Sequence, residues 1–297
     1  MSENVKSAAA EPVVRHKKRS QLKEVWGRLL RNKLAVVSLV VIVLLALVAI
    51  FADYIAPYDY KTVDIMNRFQ FPSLQHPMGT DNLGRDLLSR MIYGSRMSLL
   101  VAIMACVISL VIGGILGATS GYFGGIYDSI VMRIMDMLMA IPMFLMAVAV
   151  SSALGTGLLN SAIALAISGI PGYVRITRAQ VMTVRDLEYI EASKASGAGQ
   201  FRIVFKQILP NCLAPIIVNF TLSLGGSIMA IASLSFIGLG VAPPTPEWGS
   251  ILSGGLDYIR SFWPIVTFPG IAITVTMLAF NLFGDGLRDA LDPRLKQ

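Results

Sequence analysis

The chain has 297 residues, of which 55% are hydrophobic and only 14% charged, with a mean hydropathy of +0.66. An ordinary soluble domain carries close to twice that charged fraction, so the composition excludes one and indicates an integral membrane protein. The formal net charge of +7 reads as membrane topology rather than nucleic-acid binding, and two distant cysteines, Cys106 and Cys212, give neither a disulfide framework nor metal-ligand spacing.

Residues 1–33 carry nine Lys or Arg and read as a basic cytoplasmic segment. Within it Leu22, Val25, Trp26, Leu29 and Leu30 recur at helical spacing, with Lys23, Arg28 and Arg31 on other faces. The pattern predicts either a helix lying on the inner leaflet or an extension of the first span, and in both cases an anchor in the lipid. The first apolar run begins only at Leu34 and is too long for the apolar stretch of a cleavable signal peptide. Residues 34–52 form an uncharged run of 19, long enough to cross the hydrocarbon. Residues 53–96 follow as an external loop, and the uncharged run 97–127 holds a second span. The run 137–174 has 38 uncharged residues. As one helix it would be about 57 Å long, nearly twice a bilayer core, so it must fold back. Gly155-Thr156-Gly157 offers the turn. The run 207–246, broken at Gly238, Gly240 and Pro243-Pro244, gives a fifth span, and 261–284 the sixth. The predicted organisation is a five-helix core over 97–286, interrupted by a charged loop at 175–210, and a cytoplasmic tail at 287–297.

Charge sets the direction. Of the 25 Lys and Arg, nine precede the first span, six lie in the 175–210 loop (Arg175, Arg178, Arg185, Lys194, Arg202, Lys206) and three follow the sixth span (Arg288, Arg294, Lys296). All fall on one side of a six-span topology, which the positive-inside rule makes cytoplasmic, with both termini there. In the loop, Asp186 is predicted to cap a helix from Leu187, with Glu188 in its first turn. Gly197 and Gly199 end that helix, and a second helix over 200–209 stops at Pro210. Ala192, Ser193, Ala195, Ser196, Gly197 and Ala198 leave a thin surface around which a partner's groove can close. The loop reads as a docking element, and the protein as a subunit driven from outside. A plain connecting loop is the simpler alternative.

Glu191-Ala192-Ser193, Gly197 and Leu209-Pro210 resemble the EAA loop of ABC importer permeases, E-A-A-x3-G-x9-I-x-L-P. Ser193 replaces the second alanine and Gln207 the isoleucine, with Ile208 adjacent. Met78-Gly79-Thr80-Asp81, Gly84-Arg85-Asp86, Ser89-Arg90, Tyr93-Gly94 and Arg96 resemble the G-T-D-x2-G-R-D-x2-S-R block of peptide-importer permeases. Residues 243–249 and 284–293 resemble two further blocks. From about residue 22 onward the chain is similar to the C-type subunits of dipeptide and oligopeptide permeases. The resemblance implies an all-α membrane protein of six transmembrane helices, the type I ABC importer permease fold, in the bacterial cytoplasmic (inner) membrane. It implies short peptides as cargo, a second permease of B type, two ATPase subunits and an extracytoplasmic substrate-binding protein. In that family the loop's helix enters a cleft on the ATPase, so Glu191, Ala192, Ser193, Gly197, Leu209 and Pro210 are the expected coupling residues. The chain has no Walker A sequence, and Gly-Lys does not occur in it. It is expected to be non-catalytic and to bind no cofactor or metal, with ATP and Mg held by the partner ATPases. His16 and His76 form no catalytic constellation.

Other residues stand apart from the coupling loop. Asp86 and Arg90 are spaced for an i,i+4 ion pair on a short amphipathic helix before the second span. That helix is either an external rim, at the outer gate or the binding-protein dock, or an anchor for the loop. Trp248, in a proline-stiffened external loop, suits the membrane interface and the same rim. Gly113, Gly117 and Gly121 form a ladder for close helix packing, within the subunit or against a sister permease. Pro142 is expected to kink the third span. Asp128, Arg133 and Asp136 fall at its cytoplasmic third, where Arg133 and Asp136 can pair and reach Arg288 or Asp285, or mark the exit path of a zwitterionic substrate. Three alternatives remain open. One is a nickel or metal-chelate importer permease. Another is an ion-coupled secondary transporter, which should show paired broken helices in two repeats. The third is a membrane scaffold without flux.

Overall fold

A computed structural model describes residues 21–292, with side chains from Glu24 onward. The readings placed on residues 1–20 and 293–297, including His16, Pro293, Arg294 and Lys296, lie outside the described residues, as do the side chains of Leu22 and Lys23. Among the described residues every named element is a helix or helical turn.

Helices α1 (Gln21–Arg31) and α2 (Lys33–Ile50) are separate because Asn32 caps the second. The Asn32 Oδ1 accepts from the Leu34 and Ala35 amides at 3.1 and 3.2 Å, satisfying two N–H groups that have no partner within the helix. The N-terminal helix is therefore an element of its own. It packs Leu29 against Ala35 and Ala290 and leaves Trp26 and Leu30 exposed. α2 buries only Ala35, Ser38 and Ala49, as a helix that is apolar all round does when most of its surface meets lipid.

After the one-turn α3 (Ala52–Ile55) and a folded loop, α4 runs from Leu87 to Phe123 without interruption. Its 37 residues span about 56 Å, so the expected outer helix and the second span are one rod. α5 (Gly125–Met139) and α6 (Met143–Leu154) follow, bent by 89° to one another. Pro142 lies at this break, but the result is more than a kinked span. Gly124 and Gly125, at φ 64° and 62°, stop α4 and start a new helix that takes in Asp128, Arg133 and Asp136, ahead of the uncharged run that begins at 137. Proline then turns the chain, since it lacks the N–H that would continue α5. α6 alone, with 12 residues or about 18 Å, is too short to cross a bilayer.

Gly155 and Gly157, both at positive φ, form the expected turn into α7 (Leu158–Val184). α8 (Glu188–Ala195) is short and is followed by α9 (Gln200–Ile203). From there a π turn (Val204–Ile208) and a 3-10 turn (Leu209–Cys212) lead directly into α10 (Leu213–Phe236). Pro210 is thus not a stop. It occupies the first residues of the 3-10 turn, where a missing N–H costs nothing. The loop after α10 leads into α11 (Trp248–Gly255), and α12 (Pro264–Leu291) runs seven residues beyond the predicted end of the last span. Among the described residues five helices are long and apolar enough to cross a membrane, or six spans if α5 and α6 count as one.

Glycines set the closest approaches. Gly113, Gly117 and Gly121 of α4 face Tyr173, Val174, Thr177 and Val181 of α7, so the ladder serves packing inside the subunit. Gly284 and Gly286 let α12 close on Leu222 of α10 and Ala35 of α2. The start of α2, the ends of α4, α7 and α12 and the start of α10 therefore gather at one end of the bundle, with α8. The 56–86 loop and α11 occupy the opposite end. Cys106 and Cys212 are buried free thiols.

Candidate functional site

α8 is held to the bundle by Ile190, by the Tyr189 hydroxyl, which accepts from Asn211 at 3.1 Å, and by Lys194 over the Tyr122 ring. Ile190 is fully buried in a cluster with Ala118, Val181, Ile203, Val204, Ile208, Cys212 and Ile216. Glu191, Ala192 and Gly197 are exposed, Ser193 and Leu209 half-buried, and Pro210 exposed. Glu188 and Glu191 stand in the first turn and Lys194 in the last, matching the helix dipole. Contrary to the sequence expectation, the helix is not capped by Asp186. Leu187 is the N-cap residue, while Asp186 pairs with Arg185 at 3.3 Å. Arg185 is itself committed to the end of α4, donating to the Gly121 carbonyl at 2.8 Å. The other end of α8 closes as the glycine predicts. Gly197, at φ 76°, donates to the Lys194 carbonyl, and Ala198 to that of Ser193, the two bonds of a Schellman turn. The π turn before Leu209 takes one extra residue into the helix, and Ile208 rather than Gln207 enters the core. Physically, this accommodates the one-residue displacement of the apolar position in the sequence pattern.

The charges of α5 pair differently from the sequence expectation. Asp128 accepts two bonds from Arg178, both 2.6 Å, and Asp136 accepts one from Arg175 at 2.6 Å. Arg133 is exposed and has no ion-pair partner among the described residues, so there is no Arg133–Asp136 pair and no link to Arg288 or Asp285. The bend at Pro142 is the reason, because it lays α5 along α7 in antiparallel order.

At the opposite end, Asp86 and Arg90 do not pair with each other. Asp86 is the N-cap of α4, accepting from the Ser89 amide and hydroxyl at 2.7 Å, and pairs with His76 at 2.8 Å. His76 is thus not isolated. Arg90 lies 3.3 Å from Asp81, which also binds Arg85 at 2.7 Å and accepts the Leu83 and Arg85 amides. Gly79 and Gly84 have positive φ, and a β-carbon on either would run into a carbonyl, of Gln70 and Asp64 respectively. The block is a folded knot around the buried Asp81 carboxylate. Asp81→Ala would leave two arginines uncompensated, and is expected to destabilise the protein by about 3–5 kcal/mol, read as a lowered melting temperature in detergent.

Arg96 closes the same region. It donates to the Ala49 and Ile50 carbonyls at the end of α2 and holds the Asp53 carboxyl below its ordinary range through a hydrogen bond. Trp248 is not an exposed interfacial side chain. It is 2% exposed, sits over Gly94 and donates from Nε1 to the Met91 carbonyl at 3.0 Å. Glu247 is fully buried beside it, and burial pushes its carboxyl up. It accepts from Ser98 at 2.9 Å and from the Ser250 amide at 3.0 Å, capping α11. Sequence reasoning missed Asp81 and Glu247 as anchors. The spacing Glu247 to Ser250, an inverted capping box, was the available signal for the second. Among the described residues no group of three His, Cys, Asp or Glu could hold a metal ion.

The fold and the exposed loop define a multi-pass helical membrane protein. The chain belongs to the family of binding-protein-dependent transport system inner membrane components, whose model matches residues 109–297. A second model, the N-terminal TM domain of oligopeptide transport permease C, matches residues 20–77. The chain is 50% identical to the dipeptide transport system permease protein DppC of Escherichia coli K12, over 93% of this chain and 94% of that one. It is 46% identical to the di/tripeptide transport system permease protein DppC of Pseudomonas aeruginosa, over 93% of each. In fold it resembles a chain of the MetNI methionine ABC transporter in inward-facing conformations. The TM-score is 0.55 at 20% identity, covering 69% of this chain and 98% of that one.

Proposed function

We propose that this chain is the C-type permease half of an ATP-driven importer of di- and oligopeptides in the bacterial cytoplasmic membrane. The permease names of the relatives at 44–50% identity support the cargo class. The observation that carries the mechanism is α8, an exposed helix fixed to the bundle by Ile190 and closed by Gly197. In this reading the α8 end faces the cytoplasm, where the basic residues lie. A second, B-type permease completes the pathway, an external binding protein delivers the peptide, and two ATPase subunits carry ATP and Mg. Their closure moves the element around Glu191, Ala192, Ser193 and Gly197. Leu209 and Pro210 pass that motion into α10, since they lie on the continuous helical path from α9. The permease then alternates between outward and inward states.

Reconstitution of the full complex in liposomes tests this. ATP-dependent uptake of a labelled dipeptide, dependent on the binding protein, is the expected result. Uptake of a nickel chelate in place of peptide would overturn the cargo, and uptake driven by an ion gradient without ATP would overturn the class.

A further inference from the structure

Between α4, the α5–α6 bend, α7 and α10 lies a cavity of about 480 Å³, within the size range of small-ligand sites. None of its lining residues is charged. One wall is polar: Asn219, Ser223 and Ser227 follow each other at i, i+4 and i+8 on α10. The Tyr173 hydroxyl faces them from α7, buried and without a well-formed hydrogen bond. Among the described residues the Asn219 carboxamide has no hydrogen-bond partner either, while Ser227 lies 3.2 Å from the Cys106 sulfur. The facing wall at the bend carries Met139, Met143 and Met146. A second cavity of about 610 Å³ opens towards the α8 end, between α7, the start of α10 and the end of α12. Asn219 lines both cavities.

We infer that the first cavity is a peptide-binding station inside the membrane, in which the Asn219–Ser223–Ser227 ladder takes the cargo's backbone and the three methionines take its side chains. Asn219 is the polar contact through which cargo passes into the second cavity. The spacing supports it. Residues four apart on a helix rise about 6 Å, and an extended peptide presents same-side backbone groups about every 6.4–6.8 Å. Hydroxyls and a carboxamide donate and accept, so they match N–H and C=O alike and favour no sequence. Thioethers on flexible stems adapt to side chains of different shape, which suits a pathway that must not discriminate. The lack of charge leaves no fixed ion to trap a zwitterionic terminus. The Tyr173 hydroxyl, within reach of Ser223 and Cys106, offers a further donor and acceptor to the same backbone.

The inference rests on the peptide-importer reading above, and its test separates the two. Single cysteines at Asn219, Ser223 and Ser227 are introduced into the reconstituted complex and treated with a charged, membrane-impermeant methanethiosulfonate. Labelling is compared with that of the unsubstituted chain and of Val40→Cys, on the exposed face of α2. The three cavity cysteines are expected to label above both controls, and a saturating dipeptide with the binding protein is expected to slow them. Asn219→Leu is expected to lower peptide uptake about tenfold, the effect of one or two lost hydrogen bonds, with Asn219→Gln recovering part of it. Absence of labelling at all three positions in a transporting complex would place the path elsewhere and overturn the inference alone. Labelling unaffected by dipeptide in a peptide-transporting complex would overturn it too. Protection by a nickel chelate instead of dipeptide would overturn both readings, because the cargo itself would be different.

Discussion

Gly197→Trp is expected to leave the protein folded in the membrane and to cut ATP-driven peptide uptake below about a tenth of its normal rate, each tenfold loss corresponding to about 1.4 kcal/mol. A β-carbon at Gly197 meets nothing within 4 Å, so the turn is open at this position. What the tryptophan fills is the space outside the α8 turn, where the ATPase groove is proposed to close. The backbone adds a second effect: at φ 76° any L-residue is strained by about 1–2 kcal/mol. Gly197→Ala carries that strain without the bulk and is therefore the control. Uptake near normal for alanine and lost for tryptophan assigns the defect to docking, and co-purification of the ATPases should fall in parallel. A tryptophan variant that transports normally would sink the coupling role of α8. Equal losses for both would show that the Schellman turn, rather than the thin surface, is what the partner needs.

The parts of the fold that depend on composition along the chain were legible in the sequence. The turn at Gly155-Thr156-Gly157 and the glycine ladder of α4 follow from local chemistry, and each appears where it was expected, while α2 (Lys33–Ile50) follows the apolar run at 34–52 but stops two residues before its end. Direction was not. An uncharged run records that residues avoid water, but not that α5 and α6 meet at 89°. Once that bend is missed, the partners of Asp128 and Asp136 are missed as well. Their arginines lie 50 and 39 residues away on α7, and no helical spacing connects them. Asp86 and Arg90 show the opposite failure. Their i,i+4 spacing is real, but buried acids answer first to unsatisfied backbone amides, and the free N-terminus of α4 claimed Asp86. Trp248 was placed at the interface on the habits of tryptophan in membranes, whereas the nearby glycine, Gly94, recorded the space into which its ring packs.

Gly117→Val is expected to cost about 3 kcal/mol, near the upper end for overpacking, and to leave little folded protein in the membrane. A β-carbon there would stand 2.5 Å from the Val174 carbonyl oxygen, 2.9 Å from Thr177 Cβ and 3.1 Å from the Arg178 amide. Two of these obstacles are backbone, which cannot step aside by changing a rotamer, so α4 and α7 must separate. Separation has two further consequences. It pulls on Arg178, whose side chain carries both bonds to Asp128, and it moves Tyr173, which lies one turn away against Gly113. Gly114→Val makes the matching control, since a β-carbon at Gly114 meets nothing within 4 Å on the same helix. It changes helix propensity by the same small amount, under about 1 kcal/mol, without the backbone clash at the β-carbon. Thermal unfolding of the two variants in detergent therefore reads the α4–α7 contact directly. A large drop for Gly117→Val alone means that this helix pair is the frame on which both the ion pairs of α5 and the cavity wall are hung. Equal melting of the two variants would mean that the helices yield to each other, and that a mobile α4–α7 seam, not a rigid one, carries motion from α8 into the bundle.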